Sequence, residues 1–151
     1  MVVVGAKLEV RAVEKLLENA KDCVLFDPTY VCCIEHALFA CRLAQNSIER
    51  GENVAKDFRM EFLVRLSGER QIKKALNFGI REGLKVVGIL IFHERIDEVL
   101  RRFGALRNDS VFELNQEKIQ KIKRHFGIEG ETKDELLKAI FERGAILSVQ
   151  G

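Results

Sequence analysis

The segment from Val31 to Leu43 constrains this chain most. A helix drawn there carries Val31, Cys32, Ile34, Ala37, Leu38, Ala40, Cys41 and, just beyond, Ala44, which leaves little polar face. A helix that is apolar nearly all round must be covered by other elements on most sides. The rest of the chain therefore has to supply layers around a central helix. At 151 residues, 47% of them hydrophobic, it has the material for one ordinary domain core. No Ser/Gly-rich linker, low-complexity run or internal repeat divides it, so residues 1–151 are expected to form a single domain.

The flanking patterns supply the layers. Asp27-Pro28 should open the central helix, with the carboxylate capping free amides and the proline at the first helical position, and Gly51 should end it. Val2–Val4 and Cys23–Phe26 read as short strands, with an amphipathic helix from Glu9 to Asn19 between them. From Phe58 to Leu66 apolar residues alternate with Arg59, Glu61, Leu63 and Arg65, which predicts a strand with one buried face. Ser67-Gly68 should then start a helix striped by Ile72, Ala75, Leu76 and Ile80, closed by a left-handed Gly79. Lys85–Phe92 is continuously apolar from Val86 onward, as in a strand buried on both faces. Strand, helix and strand in that order predict a parallel crossover.

The remainder is read mainly as helix. Ile96, Val99, Leu100 and Phe103 stripe one helix that ends at Gly104, and Val111–Leu114 reads as an edge strand. Asn115 caps a helix striped by Ile119, Ile122 and Phe126. Thr132 and Glu135 form the capping box of a last helix striped by Leu136, Leu137, Ile140 and Phe141. The expected fold is α/β (α+β): one small mixed sheet covered by helices.

Signals for catalysis are weak. There is no glycine-rich phosphate loop, no dinucleotide fingerprint and no nucleophile elbow. His36, His93 and His125 have no second histidine at ligand spacing. Cys32 and His36, at i and i+4, come nearest to a metal pair, but free cysteine commonly behaves as a small core residue. His93 at a strand end and Glu61 in an apolar run are the residues a small enzyme would use. For Glu61, pairing with Arg59 or Arg65 is the simpler account. No catalytic residue, metal or cofactor is therefore expected. No apolar stretch approaches a membrane span and the first residues lack a signal-peptide pattern, so a cytoplasmic protein without membrane attachment is expected.

One segment is distinctly basic. Between Arg65 and Lys85, Arg65, Arg70, Lys73, Lys74, Arg81 and Lys85 face only Glu69 and Glu82, a local charge of +4 in a chain whose net charge is +2. Arg70, Lys73, Lys74 and Asn77 lie off the expected stripe, and free amides after Ser67 would suit a phosphate. A solvated helix face remains the alternative. Lys118, Lys121, Lys123 and Arg124 form a second basic run, read as mostly solvent-facing.

An ordered set of residues here resembles a known family. It comprises Asn46-Ser47-Ile48-Glu49-Arg50-Gly51, then Glu61, Leu63, Leu66, Ser67, Gln71, Ile72, Ala75, Phe78, Gly79 and Ile80, followed by the apolar run Val86–Phe92. His36-Ala37-Leu38-Phe39-Ala40 fits the same pattern upstream. The chain resembles the regulatory subunit of the KEOPS complex, the PRPK-binding protein family. Gly68 and Arg70 give it an archaeal look. The resemblance implies a non-catalytic subunit that binds the small kinase-like ATPase of KEOPS and touches the remaining subunits only indirectly. It also implies recruitment of tRNA by its 3′ CCA end for threonylcarbamoyladenosine modification. On that implication Ser67, Gly68, Arg70, Lys73, Lys74 and Arg81 are the expected tRNA contacts. Leu137, Ile140, Phe141 and Leu147 are the expected kinase contacts. A stand-alone RNA-binding module and a small enzyme are the competing readings.

Overall fold

The computed structural model describes residues 1–9 and 12–150, excepting the side chains of 145–150. Four strands form one sheet: β1 (Val2–Leu8), β2 (Cys23–Phe26), β3 (Val86–Ile91) and β4 (Ala105–Arg107), in the order β2-β3-β1-β4. Every pairing among the described residues is antiparallel. The sheet is therefore antiparallel where a mixed sheet with a parallel crossover was expected, while the α+β class stands.

Helices cover both faces. On one side lie α1 (Val13–Glu18) and α5 (Ile96–Phe103), whose Leu16, Val99, Leu100 and Phe103 pack on Val4, Leu25, Ile89 and Ile91. On the other lie α2 (Ile34–Glu49), α3 (Phe58–Ser67), α6 (Gln116–Phe126) and α7 (Lys133–Gln150). They enclose Val3, Val24, Phe26 and Leu90 with Phe62, Leu66, Ile122, Phe126 and Leu136. A strand between two helical layers loses its alternation, which is why β3 reads as an unbroken apolar run. A short helix, α4 (Ile72–Ala75), follows α3.

The main departure from the expected fold is α3. Residues 58–67 are a helix, not a strand. From Glu61 to Ser67 every residue is buried, so no outward face imposes a period of 3.6 and the alternation of charges is coincidental. The ends carry the helical signal. The Asp57 carboxylate accepts the Met60 amide at 2.8 Å, and Gly68, at φ 66°, takes the left-handed position that closes the helix. Ser67-Gly68 thus ends a helix rather than starting one, and with no strand at 58–66 there is no crossover.

Smaller corrections follow from local geometry. Asp27 caps a single 3₁₀ turn (Pro28–Tyr30), accepting the Thr29 amide at 3.0 Å, and the central helix begins only at Ile34. Val111 and Phe112 belong to another 3₁₀ turn, and the edge strand is β4 instead. Gly79 has φ −87°, so it is not left-handed. The caps at Gly104, Asn115 and Thr132/Glu135 form as expected.

Two facing glycines let the large side chains onto the sheet. Gly5 of β1 pairs with Gly88 of β3. A Cβ on Gly88 would sit 2.2 Å from the Phe26 ring, and one on Gly5 would meet Val111 at 2.3 Å. Phe26 in turn stacks edge-on against Phe62 at 5.6 Å, so the ring over Gly88 links sheet to α3. Gly88→Val is expected to lower the unfolding free energy by about 2 kcal/mol or more by overpacking. Chemical denaturation followed by circular dichroism checks this, and an unchanged midpoint would contradict it.

Candidate interaction sites

The C-terminal end of α3 organises the surroundings of the basic segment. Ser67 is buried; its hydroxyl donates to the Val64 carbonyl at 3.1 Å and accepts the Glu69 amide at 3.2 Å. The Leu66 carbonyl accepts from Nε2 of His36 at 3.0 Å, and the Ser67 carbonyl from Nε2 of His125 at 2.9 Å. Two imidazoles thus occupy acceptors that a helix end leaves open. Gly68 is fixed beneath the Arg143 side chain, whose Nε lies 3.3 Å from where a Cβ would be. Neither Ser67 nor Gly68 presents helix-start amides, so the expected phosphate seat at this position is not there.

The cations around it do face outward. Arg70, Lys73 and Lys74 are exposed. Arg70 also has an intramolecular interaction. Arg81 is 59% exposed at its side chain yet anchored to the buried Asp27, which the Thr29 hydroxyl steadies at 2.6 Å. On α4 the expected stripe is partly reversed. Ala75 is buried, but Ile72 and Leu76 are 41% and 46% exposed, four residues apart among the lysines. The surface is therefore cationic with two aliphatic side chains standing in it.

The second basic run is largely neutralised. Lys118 is buried rather than solvent-facing. Its Nζ donates to the Val111 carbonyl at 3.1 Å, and burial pushes its amine down to about 8. Lys121 pairs with Glu117, and Lys123 with Glu129 and Glu131. Nothing in the local pattern marked Lys118 as buried, since its acceptor comes from a 3₁₀ turn packed alongside.

The expected kinase contacts divide. Ile140 is buried, packed in the core with Leu136, so it supports α7 rather than facing a partner. Leu137 is half-buried against that core. Phe141 is half-buried, its ring 4.2 Å from Phe39 of α2, and Gly144 is tucked against Phe39 and Leu43. Leu147 lies outside the residues whose side chains are described. What α2 and α7 offer together is a shallow face of Glu35, Leu38, Phe39, Arg42 and Phe141.

Glu61 and His93, the residues singled out for a small enzyme, are both engaged by other side chains. The Glu61 carboxylate is fully buried. It accepts the Val54 and Ala55 amides at 2.8 and 2.9 Å, the Ser47 hydroxyl at 2.8 Å and Nε of Arg65 at 2.9 Å. Burial opposes its charge, but these donors outweigh burial and hold it below the ordinary value. Arg65, not Arg59, is therefore the partner. His93 is tied to Asp22, which also takes both terminal nitrogens of Arg102. The Arg102 bonds hold the Asp22 carboxyl well below the usual carboxylate range. Burial raises the Cys23 and Cys41 thiols to about 12 and 11, the wrong direction for nucleophiles. Among the described residues no three His, Cys, Asp or Glu side chains gather as metal ligands, and no helix is long and apolar enough to cross a membrane.

The family model described as "Kinase binding protein CGI-121" matches residues 7–148, nearly the whole chain. The chain belongs to that family. Among curated proteins it is similar to the Regulatory protein Cgi121 of Methanocaldococcus jannaschii, 36% identical over 88 residues, covering 58% of this chain. The match spans 60% of that relative's length. The family resemblance read from Asn46–Gly51 and Glu61–Ile80 is thereby borne out, including its archaeal character.

His36 makes stability pH-dependent. Its Nδ1 accepts the Cys32 amide at 3.1 Å, so Nε2 carries the proton it donates to Leu66, and the ring is neutral. Burial lowers it from 6.5 to about 4. The unfolded chain therefore binds this proton more readily, and stability falls as pH drops from about 6.5 to about 4. The ceiling on this effect is about 3 kcal/mol. Denaturant titrations at pH 7 and pH 5 should show the loss for wild type and little of it for His36→Gln; equal losses in both would contradict the assignment.

Proposed function

We propose that this chain is a non-catalytic regulatory subunit of the KEOPS complex. It binds the complex's kinase-like ATPase and recruits tRNA by its single-stranded 3′ CCA end, in the cytoplasm, in support of threonylcarbamoyladenosine formation. The observation that carries the reading is membership, over residues 7–148, of a family described as kinase-binding. The regulatory name of the archaeal relative points the same way.

The kinase contact is assigned to the α2–α7 face. Phe39, Leu38, Leu137 and Phe141 give it an apolar centre, and Glu35 and Arg42 give it a polar edge. That is the usual anatomy of a protein interface. Leu147 continues the same helix and belongs to the proposal by sequence alone. The tRNA contact is assigned to Arg70, Lys73, Lys74 and Arg81, with Ile72 and Leu76 as the surfaces on which terminal bases rest. Single-strand recognition joins a cationic track to flat or apolar surfaces, and here aliphatic side chains take the part that aromatic rings usually play. Ser67 and Gly68 shape the α3 end beneath this surface and do not touch the nucleic acid. The buried or paired states of Glu61, His93 and the cysteines support the absence of catalysis.

The test is tRNA affinity by fluorescence anisotropy at fixed ionic strength for the double variant Lys73→Glu, Lys74→Glu. Both lysines are exposed, so folding and kinase binding should be unchanged. Wild-type binding should weaken as salt rises, weaken on removing CCA from the tRNA, and fall by about tenfold or more in the double variant. Wild-type affinity in the variant would move the site away from α4.

A further inference from the structure

Tyr30 is the single tyrosine of a chain without tryptophan, and it stands beside the cationic surface. It ends the 3₁₀ turn Pro28–Tyr30, which Asp27 caps by accepting the Thr29 amide and hydroxyl. The same aspartate anchors Arg81, whose side chain is 59% exposed. The Tyr30 ring stacks on Phe78, with centroids 5.5 Å apart and 29° between the planes. Phe78 ends the short turn Leu76–Phe78 that continues α4. The His125 ring meets Tyr30 at 5.5 Å and Phe78 at 4.9 Å, and its bond to the Ser67 carbonyl fixes it there. Phe78 and Phe126, which pack against these rings, are buried, whereas Tyr30 and His125 are half-buried. Two rings are thus left partly open to solvent on a fixed apolar floor.

We propose that Tyr30, backed by His125, is a stacking platform for an unpaired base at the 3′ end of tRNA. The proposal rests on the tRNA-binding reading above and supplies the aromatic surface that α4 itself lacks. Its neighbours select a nucleic acid. Lys73 and Lys74 are exposed and in no ion pair among the described residues, so the surface stays cationic although Asp27 offsets Arg81. Arg81 gives Nη1 to Asp27, and its guanidinium has further N–H donors that suit a phosphate. Exposed Leu76 stands two residues before Phe78, so the aliphatic surface of α4 leads toward the rings. Single strands are held in this way, with phosphates on a cationic track and bases on π-faces. The platform is also preorganised. The capped turn holds Tyr30 and the Ser67 carbonyl holds His125, so a base that stacks there has little left to order in the protein.

Two experiments on the full chain test it. In the first, the protein is labelled with ring-¹³C tyrosine, and its one tyrosine gives ring signals that need no assignment. It is titrated with the oligoribonucleotide ACCA, with ribose 5-phosphate and with the KEOPS kinase. ACCA should move the Tyr30 ring signals upfield and saturably, as a stacked base does through its ring current, and the base-free phosphate should not. Equal shifts with ribose 5-phosphate would reduce the effect to an ionic contact, and shifts with the kinase but not with RNA would make Tyr30 a protein contact; either overturns the proposal. In the second, tRNA affinity is measured by fluorescence anisotropy for wild type, Tyr30→Phe and Tyr30→Leu. Phenylalanine keeps the π-face and should bind within about twofold of wild type, while leucine keeps apolar bulk without the face and should bind about tenfold more weakly. If Tyr30→Leu fails to fold, the ring signals of the wild type decide. Wild-type affinity in Tyr30→Leu, or tRNA binding that leaves the ring signals unmoved, overturns the platform and leaves the tRNA-binding reading standing. A wild-type chain that binds neither tRNA nor ACCA defeats that reading and the platform with it.

Discussion

The Glu61 carboxylate is the interaction on which the helical layer depends. It is fully buried and carries four hydrogen bonds: two from the loop between α2 and α3, one from Ser47 of α2 and one from Arg65 of α3. An isolated charge at such a depth would cost several kcal/mol, and one with every acceptor site engaged does not. The network sets the angle at which α3 leaves α2 and holds Arg65 in a single pose. It needs both termini of α3 where they are, which Asp57 and Gly68 provide.

From that fixed helix the proposed surfaces follow. α3 packs against α2 on one side and carries α4 at its end. The α2 side, joined by α7, bears Phe39 and Phe141. The α4 side bears the exposed lysines with Ile72 and Leu76. Hydrogen bonds from the buried His36 and the half-buried His125 close the α3 terminus between them. An adaptor needs this arrangement: two contact surfaces on different elements, held by a core that neither partner disturbs. Among the described residues, His36, Glu61 and the four cysteines are buried within that core.

Much of this was legible in the sequence where the cause is local. Asn115, Gly104 and the Thr132/Glu135 box mark helix ends through bonds within a few residues, and β2 and β3 show themselves by apolar runs. The segment 58–67 was misread because periodicity reports an exposed face, and from Glu61 to Ser67 this helix has none. Its flanking Asp57 and Gly68 were the better signal. Ser67-Gly68 was read in the wrong direction for the same reason, and the phosphate seat expected there went with it. Glu61 with Arg65 was legible as an i, i+4 pair, but the Val54 and Ala55 amides that complete its shell were not, because they come from the loop between α2 and α3. Lys118 and Ile140 show the same limit: their burial is decided by what the fold lays over them.

The proposed function requires one core to carry two independent contact surfaces. The most direct test is a calorimetric titration of the KEOPS kinase into this protein, first alone and then saturated with tRNA. One kinase molecule should bind with the same affinity in both titrations. Loss of kinase binding in the presence of tRNA would contradict it, because the two partners would then share a surface.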